Sequence, residues 1–312
     1  MAARWRRQLS LTLLLCLWGA SQAAAESPKV LATLKPLHAI AATVMAGVDE
    51  PALLLDGNQS PHGLTLRPSQ ARALAQADLL LWIGPGLETF LNGRTQDFTE
   101  RKALVTILDL PGLITLPWRE AGVHDHDAAE AAVDPHVWLH PENAAVIAEG
   151  MAVQLAARDP ANATHYQANA AGFAEKMRNI NAKQRLEAQL GGRATDAVPV
   201  LTFHDGFQYF EVALGLRSLG TVTVNPDVPA SARRLSALRA AIGKNPSVCI
   251  LAEPQFKKQG ESLRALAAEV GASFATIDPL GIDIAPGAAL YEQLLEANLA
   301  AIATCLKAAA KS

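Results

Sequence analysis

Cysteine is scarce in this 312-residue sequence, which holds only Cys16, Cys249 and Cys305. There is no Cys-x-x-Cys pair and no His-Glu-x-x-His, so neither a thiolate zinc knot nor a helical metalloprotease site is legible. Charge is also sparse: 18% of residues are charged against 50% hydrophobic, which excludes disorder and charged coiled-coil rods as the main architecture. Past the N-terminus no apolar run approaches about 18 residues, so no membrane span is expected there. Without residues 1–25, which contain Arg4, Arg6 and Arg7 and no acid, 24 basic residues face 30 acidic ones. A mildly acidic surface gives no electrostatic footing on nucleic acid, and no nucleic-acid partner is expected.

What is present begins with a leader. A basic start, the largely apolar run 9–20 and the small residues Ala23, Ala24 and Ala25 form the three-part pattern of a cleaved signal peptide over 1–25. An uncleaved membrane anchor is the alternative. Leu15 stands where lipid attachment at Cys16 would want a small residue, so Cys16 is assigned to the discarded segment. Export to an oxidising compartment makes a disulfide the simplest fate of Cys249 and Cys305. It would close a loop of about 57 residues and contribute roughly 4 kcal/mol. A thiolate metal ligand is the competing reading, with no second cysteine at ligand spacing to support it.

Short apolar runs alternate with amphipathic stretches, which predicts an α/β fold. Strands are expected at 29–33, 51–55, 78–83 and 103–107, and again at 198–203, 218–224, 248–252 and 273–277. Two sets of four imply two lobes, each a four-stranded, mainly parallel sheet with flanking helices. The first lobe is expected over 26–162 and the second over 191–312. Residues 163–190 contain no proline and one internal glycine, Gly172. They predict one long, polar linking helix of about 42 Å. The tract 119–134 is rich in Ala, Asp, Glu and His without apolar periodicity and predicts an acidic, histidine-containing loop.

The functional signal lies in the histidines. His62 sits in a turn-rich loop just after a strand, and His204 follows the apolar run 199–203 directly. His136 precedes a helix beginning near Pro141, and Asp278 follows the run 275–277. Ligands of open parallel sheets bind at the carboxyl ends of strands, where several of these residues fall. Three neutral imidazoles with a carboxylate or water make a tetrahedral site suited to zinc, whereas manganese favours more oxygen donors. His124 and His126 form an accessory pair in the acidic loop, whose alternative reading is a solvated tract. His38, His140 and His165 are expected to be structural or exposed, His140 at a helix boundary.

Ser60–Ser69 (SPHGLTLRPS), Ala77–Pro85 (ADLLLWIGP), Pro135–Glu142 (PHVWLHPE), Phe203–Phe210 (FHDGFQYF), Ala252–Phe256 (AEPQF) and Asp278–Gly281 (DPLG) occur here in one order. Together they resemble the high-affinity zinc-uptake solute-binding proteins of the ZnuA type, the extracytoplasmic component of an ABC importer, over essentially the whole mature chain. The resemblance implies two lobes, a single linking helix and a zinc site in the cleft between them. It places ligands on His62, His136 and His204, the last where manganese-binding relatives usually carry glutamate, and leaves the fourth position to Asp278 or water. It also implies a disulfide at the positions of Cys249 and Cys305. Two departures stand out: Pro61 occupies a position that is acidic in some zinc members, and the histidine-rich loop is reduced to His124-Asp125-His126.

The expected function is a periplasmic, monomeric receptor that captures Zn(II) as cargo and delivers it to a membrane permease driven by an ATPase. It is not expected to be an enzyme. The alternatives are a manganese receptor or adhesin on the same scaffold, and a zinc hydrolase with Glu253 as general base. No sequence signature sets Glu253 beside a metal-bound water, and a strand-end hydrogen-bond partner explains it equally well.

Overall fold

The computed structural model describes residues 27–56, 59–96, 98, 103–119, 133–223, 226, 230–243 and 247–311. The leader over 1–25, with Cys16, and the pair His124 and His126 lie outside the described residues. No described helix is long and apolar enough to cross a membrane.

Two parallel sheets organise the chain, as the alternation of apolar runs predicts. The first contains β1 (Val30–Ala32), β2 (Ala52–Leu53), β3 (Leu79–Trp82) and β4 (Ala103–Thr106), in the order β2-β1-β3-β4. The second contains β5 (Pro199–His204), β6 (Arg217–Thr223), β7 (Cys249–Ala252) and β8 (Ser273–Thr276), in the order β6-β5-β7-β8. The inner strands β1, β3, β5 and β7 are buried at every residue, because helices cover both faces. That is why they read as unbroken apolar runs rather than as alternating ones.

Around the first sheet lie α1 (Lys35–Val44), α2 (Pro68–Gln76) and α3 (Pro141–Arg158). Each carries a proline at the start, where the missing N–H is not needed. Then come α4 (Ala163–Asn179) and α5 (Ala182–Gln189), followed by α6 (Gln208–Leu214), α7 (Ala232–Gly243), α8 (Lys257–Val270) and α9 (Leu290–Ala309) in the second half. Helices α6 and α8 stop at Gly215 and Gly271, both left-handed at φ 63° and 69°.

The expectation of one helix over 163–190 needs correction, since the link is two helices. Ile180 is extended (φ −74°, ψ 99°), and the Asn181 side chain accepts the Gln184 N–H at 3.0 Å, capping a new helix. The two pieces also pack on different partners, α4 against α1 and α3, and α5 against α6 and α9. A straight rod could not follow both surfaces, and asparagine at the junction satisfies the interrupted backbone.

One hydrophobic core runs through both halves. It joins β1, β3, α1 and α3 to α4, α5, α6 and α9, and reaches Val200, Cys249 and Leu251 on the inner strands of the second sheet. A second core fills the opposite face of that sheet, between Phe203, Ile250, Leu238 and Leu263. Cys249 and Cys305 are bonded across 56 residues, fastening α9 to β7. Replacing both cysteines with serine should lower unfolding stability by about 2–5 kcal/mol. Urea denaturation of the double variant beside wild type measures this, and an unchanged midpoint would contradict it.

Candidate metal centre

One strand end and two connecting segments bring the imidazoles together. His204 is the last residue of the central strand β5, so its side chain emerges at the carboxyl edge of the second sheet. His62 belongs to the β2–α2 connection, where its carbonyl accepts the Thr89 hydroxyl at 2.9 Å. His136 lies in the segment before α3, which precedes the link in sequence yet is held from the second lobe. There the Tyr209 hydroxyl donates to the Asp134 carbonyl at 2.8 Å, the Trp138 indole to the Pro279 carbonyl at 2.9 Å, and the Tyr291 hydroxyl to the Trp138 carbonyl at 2.6 Å.

One ring nitrogen from each of the three histidines lies within 4.8 Å of the others. The His136 Nε2 is 3.3 Å from the His62 Nε2 and 3.3 Å from the His204 Nε2. His136 and His204 are 2% and 3% exposed, and His62 is half-buried. The void beside them measures about 20 Å³ and is walled by Pro61, Trp138, Phe256 and Leu280. That is close to the room one water needs.

Two carboxylates set the tautomers. Asp134 Oδ1 lies 2.8 Å from His136 Nδ1 and also accepts the His136 backbone N–H at 3.0 Å. Glu253 Oε1 lies 2.5 Å from His204 Nδ1. A carboxylate on Nδ1 holds the proton there and leaves Nε2 with a free lone pair, the outer partner of a metal-bound histidine. Glu253 follows β7, the neighbour of β5, and thus stands where strand pairing brings it to His204. Engaged there, it lacks the placement of a general base.

The electrostatics follow from these contacts. Burial, followed by the neighbouring charges of His136 and His204, holds His62 well below the usual histidine range. Burial also opposes a charge on His204, but the Glu253 carboxylate, helped by Asp205 and Asp134, outweighs it and raises that pKa. Lone pairs of neutral imidazoles facing each other at 3.3 Å repel unless a proton or cation sits among them. Nitrogens about 2.0–2.1 Å from a tetrahedral zinc lie about 3.3–3.4 Å apart.

Asp278 is not part of this cluster. Its Oδ1 accepts the N–H groups of Leu280 and Gly281, both at 2.9 Å, and its Oδ2 accepts that of Ile282 at 2.5 Å. His140 caps α3, its Nδ1 accepting the Glu142 N–H at 3.2 Å, while His38 Nε2 meets the Pro51 carbonyl at 3.0 Å and His165 is exposed. Asp134 lies at the end of the acidic tract 119–134, and its position two residues before His136 is the sequence signal for its role. Gly206 carries no sequence signal of its role: a Cβ there would stand 2.3 Å from His204 Cε1 and 2.4 Å from its Nε2. Only glycine leaves room for the ring at this distance from the backbone.

The family model of ZnuA, described as the periplasmic component A of the zinc-uptake complex, matches residues 30–305. The high-affinity zinc uptake system protein ZnuA of Brucella abortus is 31% identical, with 92% of this chain and 94% of that protein covered. Its counterpart in Yersinia pestis is 30% identical over 97% of this chain and 98% of the relative. Among solved structures, the Pseudomonas aeruginosa solute-binding protein FpvC in complex with Mn²⁺ superposes with a TM-score of 0.76. It shares 19% identity, over 90% of this chain and 98% of that one, a likeness of fold. A chain matched by the family model almost end to end, with three imidazoles gathered at the edge of its second sheet, belongs to the ZnuA family of zinc-uptake solute-binding proteins of ABC transporters.

Proposed function

We propose that this protein captures Zn(II) outside the cytoplasm on His62, His136 and His204, and delivers it to the permease and ATPase of an ABC importer. The observation that carries this reading is the pair of 3.3 Å separations among the Nε2 atoms, the edge length of a tetrahedral zinc site. An all-nitrogen set also argues against manganese as cargo, which favours oxygen donors. Hydrolysis has less support, because Glu253 is committed to His204 Nδ1.

Alanine at His62, His136 or His204 should each weaken zinc binding by more than the roughly 10–100-fold that loss of an orienting partner costs. Calorimetry on the metal-free protein measures this, and wild-type binding by all three variants would remove the site assignment. In the same experiment Zn²⁺ should displace Mn²⁺ at equal concentration.

Zinc must also displace any proton from Nε2. The raised pKa of His204 means that this competition starts above the ordinary histidine value of about 6.5. Affinity is therefore expected to be highest in mildly alkaline solution and to fall by roughly tenfold per pH unit below the His204 pKa. Chelator competition between pH 5 and pH 8 reads the slope, and a flat profile would contradict it.

Gly206→Ala should lose at least about tenfold in zinc affinity, since the added methyl displaces the His204 ring. Unchanged binding with an intact circular dichroism spectrum would show that the ring is free to relocate.

A further inference from the structure

Three histidines leave the fourth position of a tetrahedral ion open, and the structure contains a group suited to fill its surroundings. Gln255 lies in the 3-10 turn Pro254–Phe256 that follows β7, and it lines the same 20 Å³ void as His62, His136 and His204. Its Oε1 is sealed from solvent and has no hydrogen-bond partner. A buried acceptor without a donor is unfavourable, so such an atom marks a missing partner.

The orientation of the amide is set by Asp278. Gln255 Nε2 faces Asp278 Oδ1 at 3.5 Å, and turning the amide over would oppose two oxygens. The carboxylate therefore fixes which end of Gln255 is the acceptor. Asp278 meanwhile directs its own oxygens to the N–H groups of Leu280, Gly281 and Ile282. A carboxylate so engaged is poorly placed to ligate an ion, whereas a void of this size holds one water. Water on a divalent cation is a stronger hydrogen-bond donor than free water, because the ion lowers its pKa.

Resting on the zinc-capture reading, we propose that the fourth ligand is water and that Gln255 Oε1 accepts its hydrogen bond, with Asp278 acting as a positioning residue through Gln255. The metal-bound water thereby supplies the donor that Gln255 Oε1 lacks, which couples the satisfaction of that oxygen to metal binding. A neutral water, unlike a carboxylate, also adds no negative charge to the ligand set.

The test is Gln255→Met, which keeps the length of the side chain and removes the acceptor. Zinc affinity by chelator competition should fall about tenfold, the lower end of the range for a lost outer partner. The thermal midpoint of the metal-free variant should stay at the wild-type value, which separates this loss from unfolding. A crystal structure of the zinc-loaded wild type should place a water on the ion within hydrogen-bond distance of Gln255 Oε1. Binding of Gln255→Met within twofold of wild type overturns the proposal, as does a zinc ligated by Asp278 or by Gln255 itself. If instead the wild type holds no zinc, or the three histidine variants bind as it does, the capture reading fails first.

Discussion

Three imidazole lone pairs aimed at one point repel one another in the absence of a cation, and the rest of the molecule serves to keep them there. Asp134 and Glu253 hold the Nδ1 protons of His136 and His204, so those two lone pairs cannot escape by a change of tautomer. Gly206 lets the His204 ring lie against the backbone, and the wall residues reduce the free space to about 20 Å³. On the proposed zinc-capture reading, the ion would relieve a repulsion that the fold has already accepted. Its gain would include preorganisation, because the rings of His136 and His204 need not be ordered at the moment of binding.

The same constraint explains why the two lobes are built alike yet contribute unequally. Both sheets have the same strand order, so each has a crevice between its two inner strands. In the second lobe that crevice holds His204 and Glu253. In the first lobe it is closed: Glu88 is fully buried and accepts the Thr33 hydroxyl at 2.6 Å and the N–H groups of Ile83 and Gly84 at 3.1 and 3.0 Å. Burial raises the Glu88 pKa against these stabilising contacts. The first sheet brings a histidine to the cluster through the β2–α2 loop, which carries His62, and His62 is the least buried of the three.

Movement between the lobes is limited by what crosses them. A single core extends through both, and the buried Lys35 ammonium on α1 donates to the carbonyls of Ile282 and Ile284 at 2.7 and 2.6 Å. Trp138, Tyr209 and Tyr291 tie the His136 segment to the second lobe, so His136 and His204 travel together. Opening by a wide hinge would break these bonds and expose core. Displacement of the His62 loop breaks far less. On the proposed capture reading, release of cargo would then be a local change at His62 rather than a rigid separation of halves.

How much of this was legible depended on whether the cause was local. Buried parallel strands announce themselves as continuous apolar runs, and His204 could be placed because it ends such a run. The break at Ile180–Asn181 could not be read, since no proline or glycine marks it and its cause is the need to pack on two surfaces. Asp134 shows the intermediate case: its sequence position beside His136 was visible, but an acidic tract hid its purpose. Glu253 and Gln255 required strand order, because only the pairing of β5 with β7 brings the turn after one strand to the histidine ending the other. Asp278 was legible as a cleft residue, but its acceptance of the Leu280, Gly281 and Ile282 N–H groups was not, since a strand-end aspartate serves a loop's backbone amides as readily as an ion. The chemistry of a residue type can be read from sequence, but the atom to which it is directed is decided by what tertiary structure leaves unsatisfied around it.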